Sequence, residues 1–318
     1  MRLVFFGTPS IALPTLNALA AHASLRPLAV FTQPPARRSR RGEAQSCEVA
    51  TQGRRLSLEV HEVETVNDGP AFECLCRLQP EVIVVVSFGQ ILKQRVLQLP
   101  RFGCLNFHPS LLPRYRGAAP VQRAIMAGER SSGLSIMRLV KKLDAGPILL
   151  QQAWPLSEEA DAEALLAEAG ELGAPLMLRV LEGLERGDMP EARAQDDAQA
   201  SYAPPLSRDD GWLDFRRPAV ALRDVVRGVQ PWPRATCRLL MPAGDRRVIV
   251  HRASCRAGRG QPGRVEALDD LGVVVGCGEG LLCLEAVQLE GKAVQPGRAL
   301  ANGLRLKPGD CFAMTEGP

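Results

Sequence analysis

The chain has 318 residues, of which 46% are hydrophobic and 23% are charged, as expected for a globular protein large enough for two separate cores. Aromatic residues make up only 4%, which argues against an extended stacking platform for single-stranded nucleic acid. The net charge of +4 is unevenly spread: Lys+Arg against Asp+Glu number 19 to 10 in residues 1–150, 3 to 12 in residues 151–200, and 17 to 13 in residues 201–318. Two basic regions of this kind could bind one polyanion together, although solvated surface charge produces the same distribution.

The cysteines and histidines do not form a metal or disulfide pattern. None of the nine cysteines lies in a Cys-x-x-Cys pair, and the four histidines do not accompany them at ligand spacing, so we predict free thiols and no bound metal. The sequence also lacks an apolar run of about 18 residues, which a membrane span requires. Its first residues lack the longer apolar core of a secretory signal. We therefore expect a cytoplasmic protein without a membrane partner.

Strands and helices alternate in the first half of the chain. Residues 3–6 predict a buried strand that ends at Gly7, and Thr8 before Pro9 predicts a helix with Thr8 as its N-cap. Residues 81–86 are almost all β-branched, which predicts a strand buried on both faces. Further strands are predicted at residues 28–31, 103–107 and 135–139. The alternation predicts a Rossmann-like α/β domain with a parallel sheet and right-handed crossovers.

The turn after the first strand contains no nucleotide-binding fingerprint. Gly7 is its only glycine, whereas a dinucleotide fold carries Gly-x-Gly-x-x-Gly there. No Gly-x-x-x-x-Gly-Lys sequence follows a strand either. The sequence therefore argues against a nicotinamide-dependent dehydrogenase.

The second half begins with an acidic helix and a linker. The helix is predicted at residues 158–187, and the linker, rich in Pro, Ala, Asp and Gln, at residues 189–206. A further helix is predicted at residues 218–228. Short strands at about ten-residue spacing, typical of a small β-barrel, follow at residues 236–240, 247–252, 263–267, 271–276 and 281–288. We therefore predict an α/β domain at residues 1–188 and an OB-like barrel at residues 207–318.

The segment from residue 103 to residue 120 carries the most specific chemistry. Asn106 and His108 stand two residues apart at the end of an apolar strand, so their side chains project from the same face. Pro109 cannot continue a central strand, which places His108 at the carboxyl end, where open α/β sheets bind ligands. An amide can stabilise an oxyanion and an imidazole can move protons near neutral pH, a pairing that suits acyl transfer. The alternative is a histidine that only bonds its own loop.

Asp144 is a candidate third member of this site. It stands in a turn before Gly146, and a carboxylate there could hold the second imidazole nitrogen of His108 and stabilise its charged form. By composition alone, Asp-x-Gly is more often just a turn. Since no serine or cysteine nucleophile elbow is present, direct attack by an amine is favoured over an acyl-enzyme.

Together these motifs resemble the folate-dependent formyltransferase superfamily, and the resemblance covers essentially the whole chain. It rests on Asn106-x-His108, on Ser110-Leu-Leu-Pro-x-Tyr-Arg-Gly117 and on Leu143-Asp-x-Gly146. The resemblance implies that Asn106, His108 and Asp144 are the catalytic trio. It also implies 10-formyltetrahydrofolate as the co-substrate. The folate is expected to contact Phe88, Gly89, Gln90, Ile91, Leu92, Ser110, Leu111, Leu112 and Pro113.

Other motifs resemble the branch of this superfamily that formylates methionyl-tRNA. They are Phe5-Phe-Gly-Thr-Pro9, Ser87-Phe-Gly-Gln-Ile-Leu92 and Arg116-Gly-Ala-Ala-Pro120. In that branch a loop after the second strand is thought to enter the acceptor stem of the tRNA. This chain has an arginine-rich loop there, with Arg37, Arg38, Arg40 and Arg41. Such a loop could bind a phosphate backbone and become ordered on binding, although an arginine cluster alone is more often a solvated loop.

The branch also implies a carboxy-terminal barrel with a basic face for tRNA. Trp212-x-Asp214-Phe215 and Gln230-Pro-Trp-Pro233 resemble that barrel. Arginines available for the face are Arg223, Arg227, Arg246, Arg247, Arg252, Arg256 and Arg259. The resemblance thus implies initiator methionyl-tRNA as the partner, and we expect a monomer.

Three departures and three competing functions stay open at this point. Pro109 stands where many relatives have glycine, Pro204 and Pro205 follow Tyr202-Ala203 where a lysine is usual, and the arginine loop lacks the usual lysine pair. The leading alternative is a formyltransferase acting on a sugar-nucleotide amine, which would not need the clustered arginines. A folate-binding or RNA-binding protein without turnover would not need all three of Asn106, His108 and Asp144. A formate-releasing hydrolase typically carries an additional amino-terminal domain, whereas residue 3 already begins the first strand.

Overall fold

The computed structural model describes residues 1–37, 43–188 and 190–314 and forms two compact units. One unit contains Met1–Pro120, Ser131–Pro155 and Leu166–Ala203. The other contains Val121–Arg130, Leu156–Leu165 and the described residues from Pro204 onward. None of the helices among the described residues combines the length and apolarity that crossing a bilayer requires.

Strands and helices alternate over much of residues 1–203. The strands are β1 (Leu3–Gly7), β2 (Ala29–Thr32), β3 (Ala36–Arg37), β4 (Ala44–Gln45), β5 (Glu59–Glu62), β6 (Val82–Val86), β7 (Cys104–His108), β8 (Arg116–Gly117), β9 (Ser131–Arg138), β10 (Ile148–Pro155) and β11 (Tyr202–Ala203). The helices are α1 (Leu13–Ala21), α2 (Glu48–Arg55), α3 (Gly69–Leu78), α4 (Gln94–Leu97), α5 (Pro120–Met126) and α6 (Ala162–Arg186).

Seven of these strands form one sheet in the order β10-β9-β7-β6-β1-β2-β5. The five strands from β7 to β5 are parallel, as the alternating pattern predicts. At the other edge, β9 pairs with β7 and β10 pairs with β9 in antiparallel orientation. Phe6 anchors one face of the sheet, since its ring lies 5.4 Å from that of Phe31 and 4.7 Å from that of Phe88. The sheet is therefore mixed, and β7 lies where its parallel and antiparallel parts meet.

Four strands predicted in this half are confirmed to within one residue at either end. The strand predicted at residues 135–139 begins at Ser131 and runs antiparallel to β7. Neither β5 nor β10 was predicted. The reason is that β5 consists of Glu59-Val-His-Glu62, half-exposed at the sheet edge, and β10 contains two consecutive glutamines, so neither has a continuous apolar run.

The predicted helix starts at Thr8 and at residue 158 are wrong. The Thr8 hydroxyl donates to the Phe88 carbonyl at 2.9 Å instead of capping a helix, and α1 begins only at Leu13 after a short 3-10 turn. The acidic helix begins at Ala162, because Asp161 accepts a hydrogen bond from the Ala164 backbone N–H at 2.9 Å and so caps it. Thr8 therefore caps no helix, and Asp161 caps an acidic helix that begins four residues after the start predicted at Glu158.

Most of the predicted linker is attached to the first unit. The Arg193 and Ile148 backbones exchange hydrogen bonds of 2.8 Å in both directions, and β11 pairs with β8 in parallel. The segment as far as Ala203 therefore belongs to the first unit and does not form a free linker.

The rest of the chain forms an antiparallel barrel with two helices. Its strands are β12 (Ala235–Leu239), β13 (Arg246–Arg256), β14 (Val265–Leu268), β15 (Val273–Gly276), β16 (Leu281–Leu289) and β17 (Val294–Pro296), and its helices are α7 (Ala219–Gly228) and α8 (Gly297–Leu304). The sheet order is β12-β13-β16-β15-β14, with β17 on β16. Residues 310–313 bond to residues 238–240 on one side and to residues 263–265 on the other, which closes the barrel. All five predicted strands and the predicted helix at residues 218–228 are confirmed; β17 and α8 were not predicted.

Asp214 and Arg216 form a bidentate ion pair, which makes a pH-dependent contribution to the stability of the barrel unit. Arg216 donates from Nε to Oδ1 and from Nη2 to Oδ2, both at 2.8 Å. These hydrogen bonds hold the pKa of Asp214 below its ordinary value. Because the folded pKa is depressed, the contribution is complete above the unfolded pKa of about 3.9 and is lost as the pH falls through the folded pKa.

Replacing Arg216 with methionine should therefore lower the free energy of unfolding at pH 7 by about 1 kcal/mol or less, because its side chain is 58% exposed and screened by solvent. The difference from wild type should shrink as the pH falls below about 4 and be smallest near pH ~2, where the carboxyl group becomes protonated in both states. Urea unfolding at these two extremes of pH measures both values. In an Asp214→Asn background the effect of Arg216→Met should no longer depend on pH. A pH-dependent effect in that background would contradict the assignment.

Candidate active site

Asn106 and His108 lie side by side on β7 at the carboxyl end of the sheet. The strand extends to His108, and Pro109 ends it, as predicted. Asn106 is 8% exposed and His108 4% exposed. Within the part of the chain that the structure describes, the Asn106 side-chain amide makes no hydrogen bond. A nearly buried amide with its donors unused is suited to receive a substrate oxygen.

His108 is held through its Nε2 atom. Nε2 lies 2.9 Å from the Tyr115 carbonyl oxygen. Since a carbonyl can only accept, Nε2 carries a proton, and the neutral ring has its lone pair on Nδ1. Nδ1 lies 3.8 Å from Asp144 Oδ2. The arrangement presents Nδ1 as the basic atom and gives it a nearby carboxylate.

Asp144 is brought to His108 by a loop between β9 and β10. Its side chain is 10% exposed, and Oδ2 accepts a hydrogen bond of 2.8 Å from the Gly117 backbone N–H. A protonated His108 would face this carboxylate in a site shielded from water, where the attraction between opposite charges is stronger than in solvent. The structure thus brings together the three residues that the sequence motifs singled out, from positions up to 38 residues apart in the chain.

The two segments predicted to contact folate follow the carboxyl ends of the neighbouring strands β6 and β7. Phe88 and Leu92 are buried, and the exposed apolar side chain of this segment is Ile91. Gln90 is occupied by residues 63–66: its Oε1 accepts from Val66 N–H, and its Nε2 donates to the Val63 carbonyl, both at 2.9 Å. Gly89 has a φ of 82°, which favours glycine. The carbonyls of Phe88 and Ile91 already accept side-chain hydrogen bonds. In this segment, the Ile91 side chain is therefore the group most exposed to a ligand.

The second segment, residues 110–113, is braced by the antiparallel strands. Ser135 on β9 donates from Oγ to the Ser110 carbonyl at 2.6 Å. Gln151 on β10 donates from Nε2 to the Leu112 carbonyl at 2.8 Å. Leu111 and Pro113 are half-buried. Sequence reasoning missed both bracing residues, because β10 was not predicted and a serine inside a strand carries no distinctive signal.

The arginine-rich loop is only partly described. Arg37 is exposed on β3, which pairs with β4. Arg38, Arg40 and Arg41 lie outside the described residues. Of the arginines proposed for a basic face, Arg223 and Arg227 both donate to Asp224 Oδ1, at 2.9 and 3.0 Å, and are largely buried. Those two arginines therefore hold the unit together and are not available for a surface contact.

One group of potential metal ligands occurs among the described residues, away from the trio. Glu59 Oε1 lies 2.9 Å from His61 Nε2, which lies 3.7 Å from Cys74 Sγ. Sequence spacing did not reveal the group, because Cys74 belongs to α3 and the other two residues belong to β5. The absence of a bound metal stays a prediction.

The chain matches two family models in sequence. The model described as "Formyl transferase" matches residues 1–181, and "Formyl transferase, C-terminal domain" matches residues 205–305. The chain belongs to the formyl transferase family. A curated relative from Halorhodospira halophila, methionyl-tRNA formyltransferase, is 40% identical over 311 residues and covers 97% of this chain and 98% of its own.

Solved structures share the fold. Methionyl-tRNA formyltransferase from Clostridium thermocellum has a TM-score of 0.57 at 17% identity and covers 81% of this chain and 95% of its own. The N-formyltransferase from Helicobacter canadensis, solved with folinic acid and dTDP-3-aminofucose, has a TM-score of 0.65 at 14% identity and covers 92% of this chain and all of its own. These likenesses show a shared fold, and the acceptor of this chain must be argued from other observations.

Proposed function

We propose that this chain transfers the formyl group of 10-formyltetrahydrofolate to the free amine of methionine esterified to initiator tRNA, in support of translation initiation. The observation that carries the proposal is the cluster of Asn106, His108 and Asp144, in a family member that is 40% identical over nearly its full length to a methionyl-tRNA formyltransferase. The unused amide of Asn106 and the Nδ1 lone pair of His108 supply the groups that transfer to an amine requires.

In the proposed mechanism each residue has one role. The Asn106 amide donates to the formyl oxygen and stabilises the negative charge that develops as the formyl carbon becomes tetrahedral. His108 Nδ1 takes the proton from the attacking amine and returns it to the departing folate nitrogen. Asp144 stabilises His108 while it is charged. The amine attacks directly, so no covalent acyl-enzyme forms.

The separate matches of residues 1–181 and 205–305 to two family models support different roles for the two domains. We assign catalysis to residues 1–188 together with the part of residues 189–206 that is attached to them, and tRNA binding to residues 207–318. Arg246, Arg247, Arg252 and Arg259, exposed in the barrel unit, are candidates for phosphate contacts. The arginine loop would add contacts from the catalytic domain. A monomer in the cytoplasm remains the expected form.

The acceptor can be tested directly against the sugar-nucleotide alternative. We expect formyl transfer to methionyl initiator tRNA, with a KM that rises steeply with salt, and no comparable transfer to an amino-sugar nucleotide. Replacing Arg40 and Arg41 with glutamine should raise the KM for tRNA about tenfold. It should also make the slope of log KM against log salt concentration shallower by roughly one for each phosphate that is no longer neutralised. The KM for the folate should not change.

A double variant at two exposed arginines outside the loop, Arg55→Gln with Arg77→Gln, provides the matched control. It should behave like wild type. Transfer to the sugar nucleotide alone would keep the catalytic trio and reject the tRNA. Equal effects of the two double variants would reject the role of the arginine loop.

A further inference from the structure

The backbone of the Asp144 loop is held in an unfavourable conformation. Asp144 has a φ of 45°, in the left-handed region that is strained for a non-glycine residue. Two residues later the loop packs tightly on the end of β9: a Cβ added to Gly146 would lie 1.7 Å from the Arg138 carbonyl oxygen. A loop of this kind keeps its conformation only if other contacts hold it.

Gln195 supplies those contacts. Its Nε2 donates to the Asp144 carbonyl at 2.8 Å and to the Gly146 carbonyl at 2.7 Å, so both amide hydrogens are used. Its Oε1 accepts from Arg116 Nε at 3.0 Å and Nη2 at 2.8 Å. One side-chain amide thus links the Asp144 loop to Arg116.

Arg116 is itself fixed. Its side chain is fully buried, and Nη1 donates to Asp197 Oδ1 at 2.7 Å. The other Asp197 oxygen accepts a hydrogen bond from Lys142, just before the Asp144 loop. The two cations lower the pKa of Asp197, with the Lys142 hydrogen bond the largest cause. Gln195 is therefore held by Arg116, which is linked through Asp197 to Lys142, two residues before Asp144.

The same segment also supports the histidine. Ser201 Oγ accepts from the Tyr115 backbone N–H at 2.9 Å, and its carbonyl accepts from the Arg116 N–H at 2.8 Å. Tyr115 is the residue whose carbonyl holds His108. Residues 195–203 thus brace Asp144 through Gln195 and brace His108 through Ser201.

We propose that Gln195 is a positioning residue for formyl transfer, which holds the Asp144 carboxylate at His108 by bonding the carbonyls of Asp144 and Gly146. This inference rests on the proposed function. Gln195 bonds the carbonyls of Asp144 and Gly146 and the guanidinium of Arg116, so its effect is exerted through Asp144. A misplacement of about 1 Å at a catalytic group can cost roughly a hundredfold in rate.

The test variant is Gln195→Met, which keeps the length of the side chain and removes both donors. We expect kcat to fall about 10- to 100-fold, with KM values for both substrates within about twofold of wild type. The matched control is Gln199→Met, since Gln199 is exposed in the same segment and its side chain donates to Asp196, not to the Asp144 loop. The control should retain wild-type kcat. Wild-type kcat in Gln195→Met would overturn the proposal.

A double-mutant cycle separates positioning from a general loss of structure. In an Asp144→Asn background, Gln195→Met should lower the single-turnover rate by less than about threefold, because no carboxylate remains to be positioned. An equal fall in both backgrounds would overturn the proposal.

If Gln195→Met does not fold, Gln195→Glu replaces it. Glutamate still accepts from Arg116 but cannot donate to the loop, and the same loss of kcat is expected.

Amide exchange provides a readout that needs no activity. Exchange at the Gly117 N–H, which donates to Asp144, should accelerate in Gln195→Met and stay unchanged in Gln199→Met. Unchanged exchange in Gln195→Met would overturn the proposal that Gln195 positions the Asp144 loop, whichever acceptor the enzyme uses. If wild type proves inactive on methionyl-tRNA but active on an amino-sugar nucleotide, the proposed acceptor fails, and the kinetic comparison is made with the sugar.

Discussion

Replacing His108 with alanine should lower kcat for formyl transfer about 10²- to 10⁴-fold, the range typical of a positioned general acid–base group. The reason is that Nδ1 is the atom left to take the amine proton, since Nε2 is engaged by the Tyr115 carbonyl. The KM for the folate should stay near that of wild type, because the second of the two segments assigned to it keeps its bracing from Ser135 and Gln151. Single-turnover transfer from 10-formyltetrahydrofolate measures the loss.

His22→Ala is the control for this variant. His22 lies partly exposed beside Glu182 at 3.5 Å, in a different part of the same unit. Its replacement should leave kcat unchanged. A His108→Ala protein that keeps more than about a tenth of the wild-type rate, with an unchanged melting temperature, would remove His108 from the proton transfer.

Replacing Asn106 with alanine should lower kcat about 10²- to 10³-fold, equivalent to about 3–4 kcal/mol of lost oxyanion stabilisation. Little effect on stability is expected, because the Asn106 amide makes no hydrogen bond to the described residues. This combination distinguishes a catalytic amide from a structural one, whose removal would leave a buried partner unpaired.

Asn106→Asp sharpens the test, because it keeps the shape and replaces the donor with an oxygen. A carboxylate there would repel the developing oxyanion, so the rate should be no higher than in Asn106→Ala. Asn17→Ala, at an exposed helical position, is the control and should behave like wild type. An Asn106→Asp variant faster than Asn106→Ala would show that the side chain does not donate to the oxyanion.

Sequence patterns correctly placed Asn106 and His108 at the end of one strand, because the relevant information is local. Asn106 and His108 share a face because strand side chains alternate, and Pro109 ends the strand because it lacks an N–H. The barrel strands were also predicted to within a few residues at either end, because Gly- and Pro-containing turns separate short apolar runs. None of these inferences required knowledge of a distant partner.

Only the tertiary structure decided the supporting contacts. Gln195 stands in a segment whose composition indicates a linker, yet its amide bonds residues 51 and 49 positions earlier in the chain. Ser135 and Gln151 brace the second folate segment from strands whose antiparallel orientation no local pattern revealed. The sequence by itself indicated which groups are candidates for the chemistry, because those residues stand in short, recognisable motifs. Their orientation depends on hydrogen bonds between chain-distant amides and carbonyls, which form only when the sheet and the segment after α6 are both in place.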